Sequence, residues 1–390
     1  MTRRIYVDNS ATSPVSERAL KAMLPHFREE FGNPSAIYSL GSSAFKALED
    51  SRRQVAKALG AMSSEIFFTS GGTESDNWAI YDACRSRGRP GGHVVTSSLE
   101  HNAVAKPLAK LAAEGHRVTV LRPGPDGQIS PGSLEAELTD QTFLVSIMTA
   151  SNVVGTVLNI KELCAVAHKR GILFHTDAVQ AAGHVPVNVR HLGVDLLSIS
   201  GHKFHGPKGV GALFSKIPRA PVPYIDGGGQ EKGSRSGTEN VPGIVGMAAA
   251  LTEAVEALPS SQKYLADLRD RLVEKIQQIP RVQLTGDPIN RLPGHASFVI
   301  EGLAHGAHLI NELNERGVCA SSGSACSASS REASTVLTSL NISPELSMNA
   351  LRLSLSVENT EEEVDLVGEA VTEAVQKVRD LTKAKYYHGH

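Results

Sequence analysis

From about residue 44 to residue 215 the sequence alternates amphipathic helical stretches with short β-rich runs joined by small turns. That alternation admits few folds besides a mainly parallel sheet flanked by helices. Phe45, Leu48, Val55 and Leu59 recur at helical spacing, charged residues fill the opposite face, and Gly60 stands where a C-terminal cap belongs. Strands are expected at 66–69, 93–97, 143–148, 172–176, 196–200 and 210–214. Each run ends in a cluster of polar residues. Open α/β sheets bind ligands in the crevice outside the carboxyl ends of their strands, so these clusters are the candidate site.

A chain of 390 residues exceeds one ordinary core, and two unequal domains are expected. The larger, residues 15–255, is the mainly parallel α/β unit; residues 1–14 with 256–390 form a smaller α+β unit. In the smaller unit the sequence predicts a charged helix over 260–278, a strand over 297–300, more helix, a Ser/Gly/Ala-rich loop at about 320–331 and a last helix rich in Glu and Val. Residues 386–390 read as a frayed tail.

Hydrophobic residues at 41% and charged residues at 21% exclude a disordered or collagen-like chain. With 39 basic and 41 acidic residues, no global charge favours direct binding to nucleic acid or an anionic membrane. No window approaches the roughly 18 consecutive apolar residues of a membrane span, and a cytosolic protein is expected. Cys84, Cys164, Cys319 and Cys326 are too few and scattered for a disulfide framework or a zinc site. A reducing compartment fits.

The chemistry concentrates in three places. Ser200-Gly201-His202-Lys203 ends a β-run with a lysine that a low-dielectric site can turn into a Schiff-base amine, although a lone lysine is most often a solvated surface charge. His175-Thr176-Asp177 sets a carboxylate just past another strand. Such a carboxylate keeps a pyridine nitrogen protonated, which makes a pyridoxal phosphate (PLP) ring an electron sink. Ser70-Gly71-Gly72-Thr73-Glu74-Ser75 lies at a strand-to-helix junction, where glycines and a helix N-terminus can cradle a phosphate. Read singly it is equally a tight turn. His101 follows the strand expected at 93–97 and is suited to stacking on a flat cofactor or moving protons, or simply to capping a helix.

The stretches YVDNSAT (6–12), FGNPSA (31–36), FFTSGGTESDN (67–77), EHNAV (100–104), HTDAVQAAG (175–183), SGHKFHGPKGVGAL (200–213), GGGQEKGSRSGTENVPGIVG (227–246) and SSGSACSAS (321–329) resemble those of cysteine desulfurases. The resemblance implies a type I PLP-dependent transferase fold, as in class-V aminotransferases, working as a homodimer. It makes Lys203 the Schiff-base lysine, Asp177 the partner of the pyridine nitrogen and His101 the ring stacked on PLP. Gln180 and Asn152 would contact the region of the cofactor's phenolic oxygen. Gly72, Thr73, Ser200 and His202 would hold the phosphate, with Thr238 arriving from the other subunit, and Arg352 would grip the carboxylate of L-cysteine.

Cys326 lies in a loop without bulky side chains, either an incidental thiol in a linker or a thiol that enters the site and leaves carrying sulfur. The resemblance implies the second: a persulfide on Cys326, L-alanine as co-product, and delivery to an acceptor protein for iron–sulfur cluster assembly or thiolation of tRNA or DNA. Any iron–sulfur cluster would form transiently on that acceptor, and no metal is expected on this chain. The spacing from Cys326 to Arg352 resembles the long-loop type, and Cys84, Cys164 and Cys319 read as packing residues. One segment departs from the family: Thr149-Ala150-Ser151-Asn152-Val153-Val154-Gly155 carries Val153 where a glutamate is usual. Selenocysteine lyase, or a sulfur-relay scaffold with reduced turnover, remain the competing readings.

Overall fold

Seven short strands with small or apolar residues form one sheet in the computed structural model, which describes residues 4–216, 221–323 and 333–387. The strand order is Ile66–Thr69, Gly211–Ser215, Leu196–Ser200, Leu173–Asp177, Thr142–Ser146, His93–Ser97 and Arg117–Leu121. Gly211–Ser215 runs antiparallel to both neighbours, and every other pairing is parallel. The strands from Thr142–Ser146 to Gly211–Ser215 are buried along their whole length, because helices cover both faces of a sheet built by crossovers. Gly72–Arg87 is one such helix and packs on several of them.

Three expected strands shift by about one residue, to Thr142–Ser146, Leu173–Asp177 and Gly211–Ser215. Asp177 therefore closes its strand and does not follow it. The edge strand Arg117–Leu121 was not anticipated; it pairs on one side only, and its exposed face leaves a weak apolar signal. Helix Ser39–Leu59 begins earlier than the apolar spacing indicates, and Gly60 caps it in the left-handed conformation at φ 70°. Leu48, Val55 and Leu59 are buried, but Phe45 faces outward.

Helix Val241–Gln277 is the largest departure: it is continuous through Pro259 and across residue 255, where the boundary between domains was expected. It is long and apolar enough to cross a membrane, yet half of its most apolar window is buried and it packs against helices Glu17–Met23 and Ser39–Leu59. Beyond it, Val282–Leu284, His295–Ile300 and Ala350–Ser354 form an antiparallel sheet. Leu268, Leu272, Phe298, Leu351, Val371 and Val375 belong to an apolar cluster around that sheet. Helix Glu361–Tyr387 includes Tyr386 and Tyr387, so only His388 to His390 of the expected tail lie outside the described residues.

A buried ion pair ties the first sheet strand to the loop after residue 224. Arg52 donates to both carboxylate oxygens of Glu231 at 2.7 and 2.8 Å and to the Ile66 carbonyl at 2.9 Å, while Glu231 accepts the Phe68 amide at 2.9 Å. Removing one partner strands a buried charge. Arg52→Ala is expected to cost about 3–5 kcal/mol in urea unfolding; a loss under about 1 kcal/mol would show that the site relaxes or fills with water.

Candidate functional site

The carboxyl ends of strands Ile66–Thr69, Leu196–Ser200 and Leu173–Asp177 lie along one edge of the sheet. Strand Ile66–Thr69 turns through Ser70 and Gly71 into helix Gly72–Arg87, whose first amides lack intrahelical partners. Thr12, Gly71, Gly72, Thr73, Ser200 and His202 line a cleft of about 380 Å³ at this turn, with Lys208 at its edge. Gly72 is required by close packing, since a Cβ there would lie 2.6 Å from Val179 Cγ2. Burial, with Lys203 and Lys208 nearby, pushes His202 down to about 4, so its ring is a neutral donor or acceptor. A cleft at a helix N-terminus is suited to an anion.

Lys203 ends the tight turn Gly201–Lys203 that follows strand Leu196–Ser200. Its amine donates to the carbonyls of Ser10 and Ala11 at 2.6 and 2.8 Å, and Gln180 Nε2 donates to the same Ser10 carbonyl at 2.9 Å. His184 Nε2 holds the Lys203 carbonyl at 2.8 Å. The N-terminal segment thus reaches from its pairing with Val318–Cys319 across to the lysine.

Asp177 stands on the neighbouring strand, where its backbone faces Ser198. Burial, and then the nearby Asp76, push Asp177 up to about 7; burial raises Asp76 to about 7 and Glu100 to about 8. Asp76 Oδ1 and Glu100 Oε2 are buried without a hydrogen-bond partner. His175 lies 3.5 Å from Asp76 and hydrogen-bonds Ser146 and Ser198, but burial lowers it to about 4, so it supplies no positive charge. Burial raises all three carboxyls, so a cation brought beside them would be stabilised. Asp76 and Glu100 were missed as site residues, although both lie inside the quoted stretches; only packing brings them to Asp177.

His101 caps helix Asn102–Ala113, its Nδ1 accepting the Ala103 amide at 3.1 Å, and it lines a second cleft with Thr73, Asn77 and Tyr81. It lies close enough to Asp177 to lower that carboxyl's pKa. Capping and cofactor contact are compatible, because the cap uses only one ring nitrogen. Arg352 is buried; Nη1 donates to the carbonyls of Asn152 and Gly323 at 2.9 and 2.8 Å, and Nη2 pairs with Asp8 at 2.7 Å. Thr238 is exposed in the loop before helix Val241–Gln277. Val153 is buried in the main apolar cluster. Cys326 lies outside the described residues; Gly323, at the stem of its loop, sits beside Val153.

The class-V aminotransferase model matches residues 5–367. Cysteine desulfurase IscS of Methanosarcina thermophila is 47% identical over 97% of this chain and 94% of its own length. This chain belongs to the cysteine desulfurases, within the class-V aminotransferase family. A solved structure titled NifS-like protein superposes with a TM-score of 0.90 at 36% identity, covering 96% of this chain and all of its own. Another, SspA in complex with cysteine, gives 0.80 at 36% identity over 91% and 99%. The cofactor of the family is PLP, and the residues present suit it: a polar cleft at the Gly72–Thr73 turn, the buried carboxyl of Asp177, and the Lys203 amine in the turn that follows the strand between them.

The raised Asp177 pKa gives a pH signature in the cofactor-free protein. A carboxyl that holds its proton more tightly folded than unfolded costs nothing below about pH 4, and its stability penalty grows as pH rises from about 4 to about 7. Asparagine can still accept the Val179 amide, now donated to Asp177 Oδ1 at 2.8 Å. Asp177→Asn is expected to flatten the fall in stability between about pH 5 and about pH 8 and to gain on the order of 1–4 kcal/mol at the upper end. Urea unfolding at the two pH values checks this; an unchanged slope would refute the shift.

Proposed function

We propose that the protein is a PLP-dependent cysteine desulfurase that converts L-cysteine to L-alanine and carries the sulfur as a persulfide on Cys326. The observation that carries this reading is that the Gly72–Thr73 turn, Lys203 and Asp177 stand at strand ends along one edge of the sheet, with Gly72 packed close to Ser200.

In this reading Gly72, Thr73, Ser200 and His202 hold the phosphate, joined by the partner subunit's Thr238. Asp177 pairs with the ring nitrogen, Asn152 and Gln180 contact the region of the phenolic oxygen, and His101 lies against the ring. When bound, PLP withdraws electrons from the carbon atoms of the substrate. Lys203 would hold the cofactor through its amine, and as the base of the site it would take the substrate α-proton and later return it to the same carbon. Arg352 holds the carboxylate. The Cys326 thiolate attacks the substrate sulfur: the S–S bond forms as the C–S bond breaks, and the carbon that loses sulfur takes up a proton to become the methyl group of alanine.

A homodimer is supported by the exposed apolar side chains of Leu24, Phe27, Phe31, Ile37, Tyr38 and Phe45, all within residues 24–45. The acceptor in this reading is an iron–sulfur scaffold or a thiolation protein in the cytoplasm. Incubation of the PLP-loaded chain with L-cysteine should yield alanine and, by mass spectrometry, one added sulfur on the peptide containing Cys326. Absence of both refutes the activity.

A further inference from the structure

The turn carrying Asn152 is gripped by three side chains from beyond residue 290. Arg291 Nη2 donates to the Val154 carbonyl at 2.9 Å. Arg352 Nη1 donates to the Asn152 carbonyl at 2.9 Å, and His295 Nε2 reaches that same carbonyl at 3.3 Å. A carbonyl only accepts, so His295 Nε2 bears the proton. His295 faces Ser354 and Ser297 faces Arg352 across the antiparallel pair, which puts His295 and Arg352 on one face of the sheet. The ring is 1% exposed, and a Cβ on Gly155, whose φ is +80°, would lie 2.5 Å from His295 Nδ1. No ordinary side chain fits at Gly155 while the ring stays there.

The Arg352 guanidinium is divided by these contacts. Nη1 uses its two N–H groups on the Asn152 and Gly323 carbonyls, Nη2 uses one on Asp8, and Nε is buried without a partner. What remains is Nε–H and one N–H of Nη2, and the Nε–Nη2 edge of a guanidinium is one that can take a carboxylate side-on with two parallel hydrogen bonds.

We propose that His295 is a positioning residue for substrate recognition: its Nε2–H fixes the Asn152 carbonyl, that carbonyl fixes Arg352 Nη1, and the Nε–Nη2 edge is thereby kept for the carboxylate of the amino-acid substrate. This rests on Arg352 as the carboxylate-binding group in the reading above. A neutral imidazole suits the position. Burial, with Arg291 and Arg352 beside it, holds His295 well below the ordinary histidine pKa, so it adds a donor without adding a third positive charge.

Three variants test it in the PLP-loaded enzyme. His295→Leu keeps the approximate volume without a donor, His295→Asn keeps an amide too short to reach the carbonyl, and His295→Gln keeps an amide long enough. Loss of one buried hydrogen bond predicts that KM for L-cysteine and Kd for L-alanine rise about three- to tenfold in the Leu and Asn variants. Their kcat should stay within about twofold, and His295→Gln should restore KM and Kd. If the Leu variant does not fold, Asn against Gln decides. Unchanged KM and Kd in Asn, or a Gln variant as impaired as Asn, overturns the positioning role. Absence of alanine formation by the parent defeats the activity instead, and the alanine Kd still reports on His295.

Discussion

A Lys203→Ala chain will fold, lose the visible absorbance of its covalently held cofactor and make no measurable alanine from cysteine. The amine sits at the end of a strand that is buried along its whole length, held by the carbonyls of Ser10 and Ala11. In the proposed role of Lys203, alanine removes both the covalent attachment and the base for the α-proton. General-base catalysis alone contributes about 10²–10⁴-fold, so a fall of at least about a thousandfold is expected. The stability cost should be modest, about 1–3 kcal/mol for two carbonyls that lose a charged donor. Lys203→Arg is the control, since it returns a cation to those carbonyls without an amine able to form the bond. Alanine formation within tenfold of the parent in either variant would end the assignment of Lys203.

Cys326→Ser separates sulfur transfer from cofactor chemistry. Serine nearly preserves volume but replaces a soft nucleophile with a hydroxyl that stays protonated at neutral pH. The variant should bind PLP and cysteine as the parent does, form alanine at least about a hundredfold more slowly and show no added sulfur on that loop. The other thiols are poor substitutes. Cys164 is buried and pushed up to about 12 by burial and Asp195, while burial and Glu114 raise Cys84, which lies 3.5 Å from His116. Cys319 is held in a short strand paired with Tyr6. Persulfide on Cys319, or undiminished sulfide release by the serine variant, would mean that another thiol carries the sulfur. At the described stem of the loop, Ser321 pairs with Arg352 through the backbone, and Gly323 accepts from its guanidinium.

Much of the sheet was legible because the relevant signals are local. Short β-rich runs, each closed by a polar cluster, mark six of the seven strands, and a glycine pair between strand and helix marks the cradle. The seventh strand, Arg117–Leu121, escaped because an edge strand half in solvent carries polar residues on one face. Pro259 concealed the continuity of Val241–Gln277, since proline normally signals a break, while packing against two other helices favours the unbroken form. Phe45 fitted the helical spacing but faces outward, because periodicity marks an apolar stripe without saying what covers it.

The sequence by itself determined the α/β class and supplied the candidates proposed for a PLP site: Lys203, Asp177, the Gly72–Thr73 turn and Arg352. Only the tertiary structure decided their electrostatic setting. Asp76 comes from a helix, Glu100 from the segment after a strand and Asp177 from a strand end; their pKa values rise because packing removes all three from water together. Likewise Ser10 and Ala11 meet Lys203, and Asp8, Asn152 and Gly323 divide the guanidinium of Arg352, through contacts between distant parts of the chain. Local pattern records what each segment can form. Desolvation and hydrogen-bond partners depend on which segments meet, and that is settled only when the whole chain is packed.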